Sequence, residues 1–268
     1  MRNPTTLPLN TGNQMPTLGL GTWQLTGDTP GTVETALELG YRMIDTSGDY
    51  GTQKGIGQGI RRSGIDRENV YLVTKVEEED DAYEATTRNL SELDLDFADL
   101  MLIHRPPESG AGTGLWEGLI QARADGFARD IGVSNYSVEQ IGELIQATGE
   151  VPAANQIEWS PFGCSADMLD YCRERHIVIQ AYSPLTRGER LNDFMLGKLA
   201  ADYGKTSAQL VIRWNLQLGV VPLPKANTPD HLEENLRVFD FELSDEDMTK
   251  LNDLNEQWSS LGPRLQYL

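Results

Sequence analysis

The chain has 268 residues, 39% of them hydrophobic, which suits one large folded unit; barrels of about 250 residues are an ordinary example. With 22 basic against 41 acidic residues the formal net charge is −19, which repels nucleic acid and anionic membrane surfaces and leaves an anionic ligand to be held by local cations and backbone N–H groups. No apolar run approaches the ~20 residues that cross a bilayer, and MRNPTTLPLN lacks the apolar middle of a signal peptide, so the expected location is the cytoplasm.

In chain order, LPLNTGNQMPTL comes first and reads as two short strands around a Gly-containing turn, a hairpin suited to plug the bottom of a barrel. Short apolar runs then alternate with longer amphipathic ones, as when crossover helices join parallel strands. Strands are predicted at Thr17–Leu20, Tyr41–Ile44, Val70–Thr74, Leu100–Ile103, Ile131–Val133, Ala153–Ile157, Val178–Ala181 and Val220–Pro222. Between them lie helical stretches such as Gly31–Leu39, Asp81–Leu93, Val138–Ala147 and Ser207–Leu218, several opened by Ser, Thr or Asp caps. Ser244–Gln257 follows as an extra helix. Cys164 and Cys172, expected on one helix roughly 12 Å apart, are beyond disulfide reach and read as free thiols.

Eight β/α units also suit a doubly wound sheet, but the strand exits favour a closed barrel, in which reactive groups collect on one face. Asp45 follows YRMI, Lys75 follows VYLVT, His104 follows LMLI, Ser134 and Asn135 follow IGV, Gln156 follows AAN, Tyr182 follows VIQA and Lys225 follows VVPLP. The expected fold is an α/β (β/α)8 TIM barrel with an N-terminal β-hairpin and an extra C-terminal helix, residues 1–268 forming one domain.

Asp45, Lys75 and His104 at successive strand ends, with Tyr50 on the loop after the second strand, would converge at the barrel mouth. A neighbouring ammonium stabilises phenolate, so Lys75 is suited to lower the Tyr50 pKa, and Asp45 is suited to keep Lys75 charged. His104 can donate an N–H to a substrate oxygen while Tyr50 delivers a proton to the developing alkoxide. Taken singly, each residue has an ordinary structural role as cap, surface charge, rim aromatic or core histidine; the grouping points to chemistry.

The ordered segments GLGTW (19–23), DTSGDYG (45–51), LVTKV (72–76), LMLIHRP (100–106), GVSNY (132–136), NQIE (155–158), AYSPL (181–185) and LPKANTPDHLEEN (223–235) resemble the aldo-keto reductase family over nearly the whole chain, with some positions similar to its xylose reductases. The resemblance implies an NAD(P)H-dependent carbonyl reductase with Asp45, Tyr50, Lys75 and His104 as catalytic tetrad, acting on small aldehydes or ketones, aldoses among them. It implies that Ser134, Asn135 and Gln156 bond the nicotinamide amide and that Tyr182 stacks on the ring. Ser183, Pro184 and Leu185 with the following loop would line the pyrophosphate, and Lys225, Ala226, Asn227, His231, Glu234 and Asn235 would surround the adenosine. Trp23, Asp49 and Arg105 are the expected substrate contacts.

Some positions depart from the family pattern. NADPH-preferring members place Ser after the anchor lysine and Arg six positions beyond it; here those positions are Ala226 and His231, a weaker fork for a 2′-phosphate. The expected cofactor is NADP(H), with NAD(H) as the alternative, Asn227 being suited to a free 2′-hydroxyl. Asp49 favours hydroxylated substrates, whereas Arg105 would bind an anionic one unless the two pair with each other. Little chain remains for a lid, which predicts an open pocket. GIGQG (55–59) lacks the spacing and placement of a dinucleotide fingerprint, and EEEDD (77–81) reads as a solvated charge run, so no metal is expected. The expected partner is a small carbonyl compound rather than nucleic acid or membrane, in a monomer or weak dimer. A nicotinamide-binding regulatory subunit with little turnover is the alternative function.

Overall fold

The computed structural model describes residues 5–268. It opens on an antiparallel hairpin, β1 (Thr6–Pro8) and β2 (Gln14–Pro16). Eight parallel strands follow in sequential order: β3 (Leu20–Gly21), β4 (Met43–Asp45), β5 (Tyr71–Val76), β6 (Ala98–Ile103), β7 (Ala128–Ser134), β8 (Ala154–Glu158), β9 (Val178–Tyr182) and β10 (Val221–Pro222). The helices are α1 (Thr29–Leu39), α2 (Gln53–Arg62), α3 (Ala82–Leu93), α4 (Thr113–Ala124), α5 (Val138–Thr148), α6 (Ala166–Glu174), α7 (Phe194–Asp202), α8 (Ser207–Leu218), α9 (Pro229–Leu236) and α10 (Asp245–Asn252). None is long and apolar enough to cross a membrane.

The sheet curls until its first and last strands meet, where Gly19 and Gly21 donate their backbone N–H to the carbonyls of Pro222 (3.1 Å) and Pro224 (3.2 Å). Glycine is required at this seam, because a Cβ on Gly21 would lie 2.5 Å from the Leu223 carbonyl oxygen. The fold is thus the expected (β/α)8 barrel.

Strand side chains alternate between faces, and this period of two sets which residues reach the mouth. Met43, Tyr71, Val73, Leu100, Leu102, Ala154 and Val178 pack together inside the barrel, joined from below by Leu9 and Met15 of the hairpin segment. Their sequence neighbours Ile44, Leu72, Ile103 and Ile179 pack outward against helices. Two residues beyond the interior layer, on the same face, come Asp45, Lys75, His104 and Gln156, and four beyond Val178 comes Tyr182. The hairpin is fastened across the bottom by Thr11 and Asn13, which donate to the Asp130 carboxylate at 2.6 and 3.1 Å.

Three expectations need correction. The first strand is only Leu20–Gly21, since the preceding backbone bonds to the hairpin through Thr17 N to Thr5 O. Cys164 lies before α6 rather than on it; both thiols are free, and burial pushes them up to about 11 and 12, so neither is a ready nucleophile. The extra helix stops at Asn252 rather than Gln257, because the chain turns back over the barrel top, where Glu256 and Trp258 both donate their N–H to the Phe162 carbonyl at 3.0 Å.

Candidate active site

Lys75 is 1% exposed, at the end of β5, and its three ammonium protons each have an acceptor. It donates to Asp45 Oδ1 at 2.9 Å, to the Thr46 carbonyl at 2.7 Å and to Tyr50 Oη at 3.3 Å. Burial acts to discharge it, but Asp45 and Tyr50 outweigh burial and hold the ammonium above the ordinary lysine value. Asp45 Oδ1 also accepts from Gln156 Nε2 at 2.8 Å, so the carboxylate is held from both sides.

Tyr50 stands on the 3-10 turn Gly48–Tyr50, which the left-handed Gly51 closes. Burial pushes its phenol up to about 12, with Lys75 pulling the other way and Asp45 and Asp49 adding to the rise. The expectation that Lys75 lowers the Tyr50 pKa therefore captures only the weaker of two influences. The Tyr50 ring meets His104 edge-on, centroids 5.9 Å apart.

The acidic run is where sequence reasoning missed most. Both Glu77 oxygens lie against His104 Nδ1, at 2.9 and 2.8 Å, and Oε1 accepts from Ser47 Oγ at 3.0 Å. Arg105 bridges Glu77 (3.2 Å), Glu78 (3.3 Å) and Asp49 (3.5 Å), so the suspected Asp49–Arg105 pair exists as part of a larger cluster. Asp80 accepts from the Glu77 backbone N–H and Asp81 caps α3. Four of these five acidic residues are thus structural, not merely solvated. Asp49, Glu77 and His104 bring possible ligand atoms within 4.8 Å of one another, yet the Arg105 guanidinium already sits on both carboxylates.

Above these residues opens a cavity of about 580 Å³, within the usual range for small-molecule sites. Its walls include Trp23, Asp45, Asp49, Tyr50, His104, Arg105, Ser134, Asn135, Gln156, Tyr182 and the Ser183–Leu185 turn. Asn135 donates to the His104 carbonyl (3.0 Å) and to Ser134 Oγ (3.2 Å) and accepts from Tyr182 Oη (2.7 Å), while Ser134 donates to the Gln156 carbonyl (2.7 Å). Gln156 spends its amide hydrogens on Asp45 and Gln180. These three polar side chains therefore present acceptors, not donors, to the cavity. Ser183, Asn135 and Arg187 adopt left-handed backbone (φ 46°, 65° and 53°), strain that gathers around this one site.

Of the group expected around an adenosine, Lys225 and His231 line the cavity, whereas Ala226, Asn227, Glu234 and Asn235 do not. Ala226 is buried in the apolar layer beneath, Asn227 Oδ1 accepts from Thr26 N–H, and Glu234 accepts from Thr206 Oγ1 at 2.6 Å. Asn235 is 3% exposed. Lys225 Nζ reaches the Gln24 carbonyl at 3.3 Å. In the loop that follows Leu185, Arg187 lines the cavity and lies over the Trp23 ring, 5.3 Å from its centroid. The C-terminal segment was not foreseen in the wall. The buried Glu158 carboxylate accepts from Ser259 Oγ, Ser260 Oγ and Ser260 N–H at 2.6–2.7 Å, and this grip brings Leu261 and Gln266 to the cavity wall.

The model of the aldo/keto reductase family matches residues 17–256. The chain belongs to the aldo/keto reductase family. It is an oxidoreductase of that family, whose members use nicotinamide cofactors. It is 41% identical over 261 residues to an aldo-keto reductase of Mycobacterium sp. (strain KMS), covering 95% of this chain and 94% of the relative. It is 38% identical over 264 residues to the glyoxal reductase of Bacillus subtilis (strain 168), covering 96% and 95%. The crystal structure of a Bombyx mori aldo-keto reductase in complex with NADP superposes with a TM-score of 0.93 at 30% identity, over 98% of this chain and 96% of that one.

Removing one partner of a fully buried ion pair strands the other. Lys75→Met should therefore cost about 3–5 kcal/mol of folding stability in chemical denaturation, and adding Asp45→Asn should return a substantial share. Losses that simply add would mean that the pair does not organise the barrel mouth.

Proposed function

We propose that the protein reduces small aldehydes or ketones to alcohols, with Tyr50 as proton donor and NADPH as the preferred hydride source, NADH serving as substitute. The observation that carries this reading is the direction of one hydrogen bond. Lys75 donates to Tyr50 Oη, so the phenol's own proton remains free for a group in the cavity. A phenol pushed up to about 12 keeps that proton through the physiological range and gives it up when an alkoxide, a much stronger base, forms beside it. Lys75 then stabilises the phenolate left behind, and Asp45 keeps Lys75 charged. In alcohol oxidation the same groups run in reverse.

The residues fit a nicotinamide cofactor. Ser134, Asn135 and Gln156 have only acceptors to spare, which suits the NH2 of a carboxamide, and the Tyr182 ring, fixed by its bond to Asn135, offers a flat wall. Arg187 and Lys225 supply local positive charge beside the Ser183–Leu185 turn, as an anionic ligand needs in a chain of net charge −19. When bound, the reduced nicotinamide supplies the hydride. At the mouth Arg105 is already matched by three carboxylates, so the site favours neutral, hydroxylated carbonyl compounds over carboxylate-bearing ones.

Tyr50→Phe should lower kcat/KM for a simple aromatic aldehyde by roughly a hundredfold or more with cofactor affinity kept, since only the proton donor is lost. A near-normal rate would remove Tyr50 from this role. For the cofactor, His231→Arg places a permanent planar cation where a 2′-phosphate is expected and should tighten NADPH up to about tenfold relative to NADH, read from quenching of tryptophan fluorescence. Equal shifts in both dissociation constants, or none, would take His231 away from the 2′ position.

A further inference from the structure

We propose that Glu158 tilts the cavity toward the oxidised cofactor, its buried carboxylate stabilising the positive charge that a nicotinamide ring carries once it has given up hydride. The proposal rests on the reading of the protein as a nicotinamide-dependent reductase and assigns a task to a buried acid that the proton transfer does not use. Glu158 is the last residue of β8 and is 3% exposed. Alternation along the strand puts its side chain on the same face as Gln156, and in the parallel pairing it stands opposite Tyr182 of β9. Gln156 and Tyr182 line the cavity and Glu158 does not. The carboxylate therefore sits one layer behind the wall, next to the tyrosine proposed to cover one face of the ring.

No cation offsets this charge. Its three hydrogen bonds come from Ser259 Oγ (2.6 Å), Ser260 N–H (2.7 Å) and Ser260 Oγ (2.7 Å), every one a neutral donor, and among the described residues no Lys, Arg or His pairs with it. Arg190, which faces the same segment at the Trp258 ring, is paired with Glu256 at 3.2 Å, and Lys75 is paired with Asp45 at 2.9 Å. A buried charge held by neutral donors keeps its field, because little water stands in the way to screen it. That field reaches the cavity wall. Burial raises the Tyr182 phenol above the ordinary tyrosine value, Glu158 adds most to the rise among the charged neighbours, and Arg105 opposes it more weakly.

The reduced nicotinamide ring is neutral and the oxidised one carries a full positive charge. A carboxylate behind Tyr182 therefore favours the oxidised form and leaves the reduced form nearly untouched, since attraction between charges acts through a poorly screened wall without contact. Glu158 likewise favours hydride departure. As the C4–H bond breaks and the new C–H bond forms on the carbonyl carbon, whose oxygen takes the Tyr50 proton, positive charge grows on the ring beside Tyr182.

The test is a set of dissociation constants for the full chain, read from quenching of tryptophan fluorescence, with NADP+, NADPH and 2′,5′-ADP, the last of which has no nicotinamide. Glu158→Gln keeps the shape and an acceptor for the serines but removes the charge. It should weaken NADP+ roughly tenfold relative to NADPH, the order expected of one unit charge acting through a protein wall, and leave 2′,5′-ADP unchanged. Replacing Ser259 and Ser260 together by Ala loosens the C-terminal segment but keeps the charge, and should leave the ratio of the NADP+ and NADPH constants at its wild-type value. Wild type itself should hold NADP+ several-fold more tightly than NADPH, which keeps the proposal open to refutation if Glu158→Gln does not fold. An unchanged ratio in Glu158→Gln, an equal shift of the ratio in the serine variant, or a wild type that prefers NADPH overturns the proposal. A folded wild type that binds neither NADP(H) nor NAD(H) overturns the reading of the function, and the proposal with it.

Discussion

One buried ammonium constrains the whole mouth of this barrel. Lys75 is enclosed on the inward face of β5 and would shed its charge there without partners, so its surroundings are built to keep it. Asp45 answers from the next strand, the Thr46 carbonyl from the residue after it, and Tyr50 from the turn that follows. Gln156 reaches across the barrel to the same Asp45 oxygen, which couples β8 to β4 and β5. The proton-donating geometry proposed for Tyr50 is a by-product of satisfying that charge: with Lys75 donating to the phenol oxygen, the phenol's hydrogen must find its acceptor in the cavity.

Electrostatics divide the cavity into two regions. On one side Arg187 and Lys225 face a turn with strained backbone, a small positive zone in an acidic protein. On the other, Asp49, Glu77 and Glu78 surround Arg105, leaving local charge negative beside the His104 ring. The anionic cofactor and the neutral substrate proposed for this protein are each suited to a different side. The Glu158 grip on Ser259 and Ser260 completes the wall from the C-terminal segment.

The barrel and the inward placement of Asp45, Lys75 and His104 were legible in the sequence because both follow from one rule: alternation along each strand carries an apolar inner layer into a polar residue at the exit. Other features depend on contacts distant in the chain. Glu77 was hidden because an acidic run looks like solvated charge until His104 and Arg105, 27 and 28 residues on, are seen to fold against it. The part of the C-terminal segment in the cavity wall was not legible, since nothing local marks Ser259 and Ser260 as partners of a carboxylate about 100 residues away. The Tyr50 pKa direction was misjudged because Lys75 is visible in the sequence and the depth of burial is not. Nor does anything local mark Glu234 as an acceptor for Thr206, the cap of α8, or Asn235 as buried.

The central claim is that this cavity holds a nicotinamide with one face covered by Tyr182 and the other open to a carbonyl that Tyr50 protonates. The most direct measurement is deuterium transfer. NADPH labelled on one or the other face of C4 is mixed with the protein and a simple aromatic aldehyde, and the alcohol is analysed by mass spectrometry. The account predicts alcohol that carries deuterium from one labelled face and none from the other. Alcohol labelled equally from both faces, or no labelled alcohol from either, would contradict it.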